Sequence, residues 1–424
     1  MDINTPHLAY HESLIWIRIK FKMLSVKNQP VFFCSIAGLL IGLFAWLPLG
    51  ITGQLGILWF LVFAWLLSKN RKAAFVLMFS YYLATGREVP EIIHRFTGDP
   101  LQATWPIVIA CSAVVAGMWA LAWHPSKALR FGGLVLLLAL TSLTPVGAFI
   151  YGSPLVAAGW LFPGTGFWGL GLLVASWGIA FWLLTSESEL KNQKLGIVAI
   201  TGVLVVAVFM NLNYKEPEFG SIYALHTQVN RYPDKIEDRT IRHTELTNAA
   251  MKALEQPFPI IVMPEEIAGI WEVRYDWMWQ DVGRSYKDAG KTLIVGFDTK
   301  PDGYSNTAIA FGQHAKTIEA IRARISAPIA SWYPWNSTHI PIRWTESTIR
   351  KIGTQDLAFI FCWEELVPWP WLSIAWNAEK PPLIVIMVNH WWAQNLDIGD
   401  SQARSSEAWA RLFGWSYQRV VNEL

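Results

Sequence analysis

Charge is scarce in this chain. Only 16% of its 424 residues are Asp, Glu, Lys or Arg, while 53% are hydrophobic. A soluble domain carries nearer a quarter of charged residues, so this shortfall points to a membrane protein. Long basic runs are missing too, and the net charge is only +2. Direct nucleic-acid binding, which needs a phosphate-tracking basic surface, is therefore not expected. Cysteine is as sparse, at three residues, and no spacing suits a zinc site or a disulfide framework. No metal and no cofactor is expected. Cys34 and Cys111 lie inside apolar runs and read as buried, inert residues. Cys362 alone stands outside such a run.

Tryptophan, by contrast, is plentiful at 25. Trp favours the two water interfaces of a membrane, although many of these residues fall in the C-terminal half. Apolar segments run at Val31–Gly50, Leu55–Leu67, Ala73–Ala84, Trp105–Trp123, Phe131–Tyr151, Phe167–Leu184 and Leu195–Met210. A span takes about 20 residues, so the second and third are short. The division read from this pattern is a cytoplasmic tail over 1–30, a membrane domain of about seven helices over 31–211, and a separate domain over 212–424. Basic residues in the tail, at Lys69-Asn70-Arg71-Lys72 and at Lys127 and Arg130 put those segments inside. Seven spans then place the N-terminus in the cytoplasm and the C-terminal domain outside.

From Asn213 onward charges return, and short β-type runs alternate with helix-like stretches. Strands are expected at Ser221–Leu225, Pro259–Met263, Thr292–Phe297, Asn306–Phe311, Leu357–Phe361, Leu383–Val388 and Tyr417–Val421. Helices are expected at Thr240–Glu255 and Ser401–Phe413. This alternation makes an α/β domain. Two strand ends carry chemistry. Ile260-Ile261-Val262-Met263 runs into Pro264-Glu265-Glu266, and Phe359-Ile360-Phe361 runs into Cys362-Trp363-Glu364-Glu365. A group at a strand end is held firmly yet faces a cleft. A thiol nucleophile needs a base and a means of stabilising an oxyanion, and Glu265 suits the first need. Taken singly, the bland readings are a small buried thiol and a turn with a solvated acid, and Glu266 reads as solvated.

The ordered set Leu225-His226-Thr227-Gln228-Val229-Asn230, Met263-Pro264-Glu265, Tyr304-Ser305-Asn306-Thr307, Phe361-Cys362-Trp363-Glu364, Val388-Asn389-His390-Trp391-Trp392 and Arg419-Val420-Val421-Asn422 resembles the nitrilase superfamily. It is most similar to apolipoprotein N-acyltransferase, which joins a membrane bundle to an external nitrilase domain. The resemblance implies a multi-pass helical membrane bundle followed by an α-β-β-α sandwich, seated in a bacterial inner membrane with that sandwich in the periplasm. It also implies a base at Glu265, a nucleophile at Cys362 and a supporting acid at Glu364. Substrate contacts fall on Trp363, His390 and Trp391, though the Trp residues near Cys362 also read as core. The family's oxyanion lysine has no counterpart: Arg324 is the nearest cation, with Lys316 as an alternative, and Arg is not equivalent to Lys. Ala327-Pro328 followed by Ser331-Trp332-Tyr333-Pro334-Trp335, with the chain ending at Leu424, resembles a branch of plasmid conjugal-transfer proteins. The implied partners are a membrane lipid as acyl donor, an amine on a protein or small molecule as acceptor, and proteins of the conjugation apparatus. Three functions follow: an acyltransferase working through a Cys362 thioester, an amide hydrolase using water instead, or an inactive nitrilase-fold docking module.

Overall fold

The structure, a computed structural model, describes residues 29–185, 189–218, 222–299, 305–315, 320–325, 327–328, 342–353, 355–380 and 382–424. All but the last two residues of the expected tail lie outside these, as do Tyr304, Lys316 and residues 331–335.

The first half is helical: α1 (Gln29–Trp46), α2 (Leu58–Leu67), α3 (Arg71–Thr85), α4 (Val89–Thr97), α5 (Leu101–Ala122), α6 (Lys127–Ser142), α7 (Ala157–Leu161), α8 (Phe167–Leu184) and α9 (Glu189–Asn213). Local chemistry sets the breaks. Asn70 caps α3 by accepting from the Ala73 N–H at 2.9 Å. The Phe131–Tyr151 segment is not one helix: α6 stops at Ser142, and irregular turns follow. Pro145 disfavours the helical conformation in the residue before it, which enforces that stop. By length and composition, α5 and α8 are long and apolar enough to cross a membrane, and three shorter apolar helices accompany them. Phe33, Leu121, Trp168, Val205 and Phe209 expose their side chains on these helices, and Leu136 does so on α6. Cys111 is exposed as well, contrary to the buried reading, because it sits on the outer face of α5.

Tryptophan at membrane interfaces accounts for few of these residues. Trp46, Trp65, Trp119 and Trp177 are fully buried between helices. Trp46 Nε1 donates to Tyr81 OH at 3.0 Å, Trp119 Nε1 to Tyr82 OH at 3.2 Å, and Trp177 Nε1 to the Trp59 carbonyl at 2.9 Å. A buried indole brings a large apolar surface but needs a partner for its N–H; these hydrogen bonds supply it for Trp46, Trp119 and Trp177, while the Trp65 N–H is buried without one.

The second half contains two sheets. One has the order β1 (Ile222–Ala224), β2 (Ile260–Val262), β3 (Thr292–Thr299), β4 (Ser305–Gly312), β5 (Ile321–Arg322). The other runs β6 (Ile349–Ile352), β7 (Gln355–Phe361), β8 (Leu383–Asn389), β9 (Tyr417–Asn422). Pairs β1–β2–β3 and β7–β8–β9 are parallel. Side chains alternate across each strand. Thus Phe359 and Phe361 share a core with Val262 and Ile294 of the other sheet, while Ala358 and Ile360 pack the opposite way. Helices α10 (Ile236–Ala253) and α11 (Asp276–Asp288) cover the outer face of the first sheet. Helices α12 (Pro368–Asn377) and α13 (Ile398–Phe413) cover the second. The result is the expected α-β-β-α sandwich. Its second helix layer is not a free surface, because Trp371, Trp409 and Leu412 join one core with Trp65 and Trp177 of the helical region. At Gly159 of α7 an added Cβ would stand 1.8 Å from the Ala408 carbonyl oxygen; only glycine permits that approach.

Candidate active site

Two parallel strands from different sheets deliver the thiol and the acid to one cavity. β2 ends at Val262, and Met263 prolongs its pairing by donating to the Ile294 carbonyl at 2.8 Å. Pro264 then turns the chain, and Glu265 follows. β7 ends at Phe361, and Cys362 opens a short 3-10 turn with φ of +29°. A non-glycine residue in that region is strained and persists only where its surroundings over-determine it. Here Glu364 does so. Its carboxylate accepts from the N–H groups of Phe361 at 3.1 Å, Arg324 at 2.6 Å and Ile325 at 3.0 Å. Gln402 adds a bond from Nε2 to the Cys362 carbonyl at 2.9 Å, with Cys362 Sγ 3.6 Å away.

The cavity, about 70 Å³, is lined by Phe96, Glu265, Glu266, Asn306, Ala323, Ile325, Ala327, Phe361, Cys362, Trp363, Asn389, Trp391 and Trp392. Glu265 is buried, accepts a hydrogen bond from Asn306 Nδ2, and shares the cavity with the Cys362 thiol. Burial, aided by the nearby Asp298 carboxyl, pushes Glu265 up to about 8, with the Asn306 amide opposing. Burial first, then the Glu265 and Glu365 carboxyls, pushes the Cys362 thiol well up, with Gln402 opposing. The pair therefore rests as thiol and carboxylic acid below about pH 8. An acid poised near neutrality suits proton exchange with a reacting group.

The expected residues divide into three groups. Glu265, Cys362, Trp363 and Trp391 meet at the cavity. Glu364 lies behind it, fully buried, as the clamp of the Cys362 turn. Arg324 and His390 do not line it. Ala323 and Ile325 do, and Arg324 between them turns the other way, as alternation along an extended segment requires. Its side chain is fully buried, with Nη1 donating to Ser373 Oγ at 2.6 Å and Nε 3.6 Å from Glu364 Oε1. The oxyanion role expected of Arg324 does not fit this placement, and no other cation lines the cavity among the described residues. His390 is buried with Nε2 2.6 Å from Gln402 Oε1. Burial, then Arg419, pushes it down to about 4, so it is neutral and donates from Nε2 to an oxygen that can only accept. It fixes the amide that reaches Cys362. Glu266, read as solvated, is only partly exposed; it lines the cavity with φ of +49° and shares a hydrogen bond with Asp298.

Several parts escaped the sequence reading. The late Arg419 and Asn422 are architectural. Arg419 forks onto buried Glu365 at 2.9 and 3.1 Å. Asn422 binds Thr227, both backbone groups of Val229, and Asn389. The helical region supplies the roof. Phe96 of α4 packs its ring 5.4 Å from both Trp391 and Trp392, and Arg95 donates to the Trp392 and Gln394 carbonyls at 2.7 Å. Arg87 pairs with Asp397 at 2.8 Å, and Trp363 Nε1 donates to the Ala148 carbonyl at 2.9 Å. The only sequence signal for this roof was a polar, amphipathic stretch between two apolar segments.

No protein-family model matches the chain. Two curated proteins are similar to it over most of its length. One is the probable conjugal transfer protein TraB of Sinorhizobium fredii, 23% identical over 368 residues, which are 82% of this chain and 87% of that protein. Another is the conjugal transfer protein TraB of Agrobacterium fabrum, 27% identical over 374 residues, 82% of this chain and 83% of that protein. Among solved structures, an amidase from Nesterenkonia sp. aligns with a TM-score of 0.34 and 13% identity, over 47% of this chain and 75% of its own. A variant of the Nesterenkonia AN1 amidase, described as a member of the nitrilase superfamily, aligns at 0.31 and 12% identity, over 42% and 68%. The chain is thus similar to conjugal transfer proteins TraB across four-fifths of its length and has nitrilase-superfamily amidases among its structural neighbours.

Proposed function

We propose that this protein is a nitrilase-fold acyltransferase of conjugal transfer, anchored in the bacterial inner membrane by a multi-pass bundle. One observation carries the reading: the Cys362 thiol and the Glu265 carboxyl line one cavity, roofed by the helical region. In the ionised form of Glu265, the thiol proton passes to the carboxylate and the sulfur bonds to an ester carbonyl carbon of a membrane lipid. With Arg324 turned to Glu364, backbone N–H groups are left to meet the oxyanion. The alcohol leaves with the proton from Glu265. An amine then attacks the thioester and gives a proton to Glu265. The C–S bond breaks, and the thiolate takes that proton back. Exposed apolar side chains on α1, α5, α6, α8 and α9 support the membrane anchor. The N-terminus is then cytoplasmic and the sandwich periplasmic. The names of the two similar proteins support a place beside the conjugation apparatus.

A second reading is a docking module without catalysis. It draws on the lack of a cation lining the described cavity and on a thiol held in its protonated form. Two measurements separate these readings. Mass spectrometry of protein incubated with membrane lipids is expected to find an acyl group on Cys362 and none on Cys362→Ala; an unmodified wild type sinks the acyltransferase. Plasmid transfer by Cys362→Ala at normal protein level is expected to drop sharply, and unchanged transfer would select the docking module. Ammonia release from soluble amides without lipid would assign the thiol to hydrolysis instead.

A further inference from the structure

The cavity beside Cys362 has an unusual balance of polar groups. Among the described residues, its only ionisable lining groups besides the thiol are Glu265 and Glu266. Asp298 stands behind Glu266 and is hydrogen-bonded to it. Arg231 lies over the Trp391 ring, 5.4 Å from its centroid, and does not line the cavity. A second feature is independent of the acids. Asn306 lines the cavity at 8% exposure, gives Nδ2 to Glu265, and leaves Oδ1 buried with no hydrogen-bond partner. A buried carbonyl oxygen without a donor costs about 1–3 kcal/mol, so this wall is built to receive N–H. Asp298 Oδ1 is unpartnered too. The remaining wall carries Phe96, Trp363, Trp391 and Trp392, whose ring faces attract cations.

We propose that this wall is the recognition site for a primary ammonium group, with Glu266 and Asn306 Oδ1 as its acceptors and the indole rings around it. The ligand class is an alkylamine head, on a small molecule or a lysine side chain; a carboxylate or phosphate would meet no cation among the described lining residues. In the empty cavity, burial and the neighbouring carboxyls hold Glu266 protonated; a bound ammonium provides the missing counter-charge. Binding stands on this geometry alone. That the amine accepts the acyl group rests on the thioester reading above.

The test uses the full-length protein with Cys34 and Cys111 changed to serine. Cys362 is labelled with three methanethiosulfonates of similar size: methyl, 2-aminoethyl and 2-sulfonatoethyl. Intact mass follows the rates. The expected ratio of cation to anion rates exceeds that of free cysteine by at least about tenfold, which one favourable contact of about 1.4 kcal/mol supplies. Glu266→Gln, which keeps the side-chain size, is expected to lower the ratio about tenfold, and Asp298→Asn to lower it less. A wild-type ratio equal to that of free cysteine, or a ratio that neither variant moves, overturns the subsite. Labelling by the neutral reagent with no charge preference overturns the subsite alone. Failure of the neutral reagent to label Cys362 overturns the thioester reading and the subsite together. Propylamine and N-acetyl-lysine methylamide, added before labelling, distinguish a small amine from a lysine side chain: protection by either supports the site, and protection by neither counts against it.

Discussion

Glu265 and Glu364 are both acids following apolar strands, yet they have opposite surroundings. Glu265 faces a cavity with no cation among its described lining residues, accepts from an amide beside the Cys362 thiol, and is pushed up to about 8 by burial. Glu364 faces the interior, accepts three backbone N–H groups, and stands beside Arg324. The first acid is kept ready to exchange a proton. The second is consumed by architecture and holds Cys362 in its strained turn. The difference shows how one residue type serves reactivity where partners are withheld, and geometry where they are supplied.

The comparison breaks most readily at Glu265. Glu265→Gln is expected to cut Cys362 acylation about 10²–10⁴-fold while stability holds, measured by adduct formation alongside denaturant unfolding. A clear loss of stability would make Glu265 architectural as well. Glu364→Ala leaves the Arg324 charge buried and three N–H groups unpaired. It is expected to cost about 3–5 kcal/mol in the same unfolding experiment; near-wild-type stability would dismiss the clamp. Arg324→Lys loses the bond to Ser373 and is expected to cost about 1–3 kcal/mol without raising thiol reactivity. A faster-reacting Cys362 in that variant would mean the cation reaches the cavity after all. A further effect is on pH. An acid whose folded value is raised binds a proton that the unfolded chain has released, so its contribution falls as pH rises from about 4.5 towards 8. Glu265→Gln is expected to flatten the decline of melting temperature over that window, and an unchanged slope would remove Glu265 as its source.

Much of the sandwich was legible because parallel strands buried on both faces read as continuous apolar runs. Pro259–Met263, Leu357–Phe361 and Leu383–Val388 matched strands to within a few residues. Helix α12 was not legible: it opens on Pro368-Trp369-Pro370, which reads as a breaker but is tolerated in a first turn. The direction of Arg324 could not be read either. Spacing places a residue near a site, but a one-residue change of register reverses its side chain. His390 was drawn to the cavity by its neighbours Trp391 and Trp392, and nothing in the sequence tied it to Gln402, twelve residues on.

The seam between α7 and α13 has a consequence for how this chain is made. Helix α7 leaves the ribosome about 240 residues before α13, and Gly159 waits for the Ala408 carbonyl throughout that interval. The early helices are thus the template on which α13 is moulded. A fragment beginning at Asn213 would carry Trp409 and Leu412 with no surface to receive them, and is expected to aggregate where the whole chain folds.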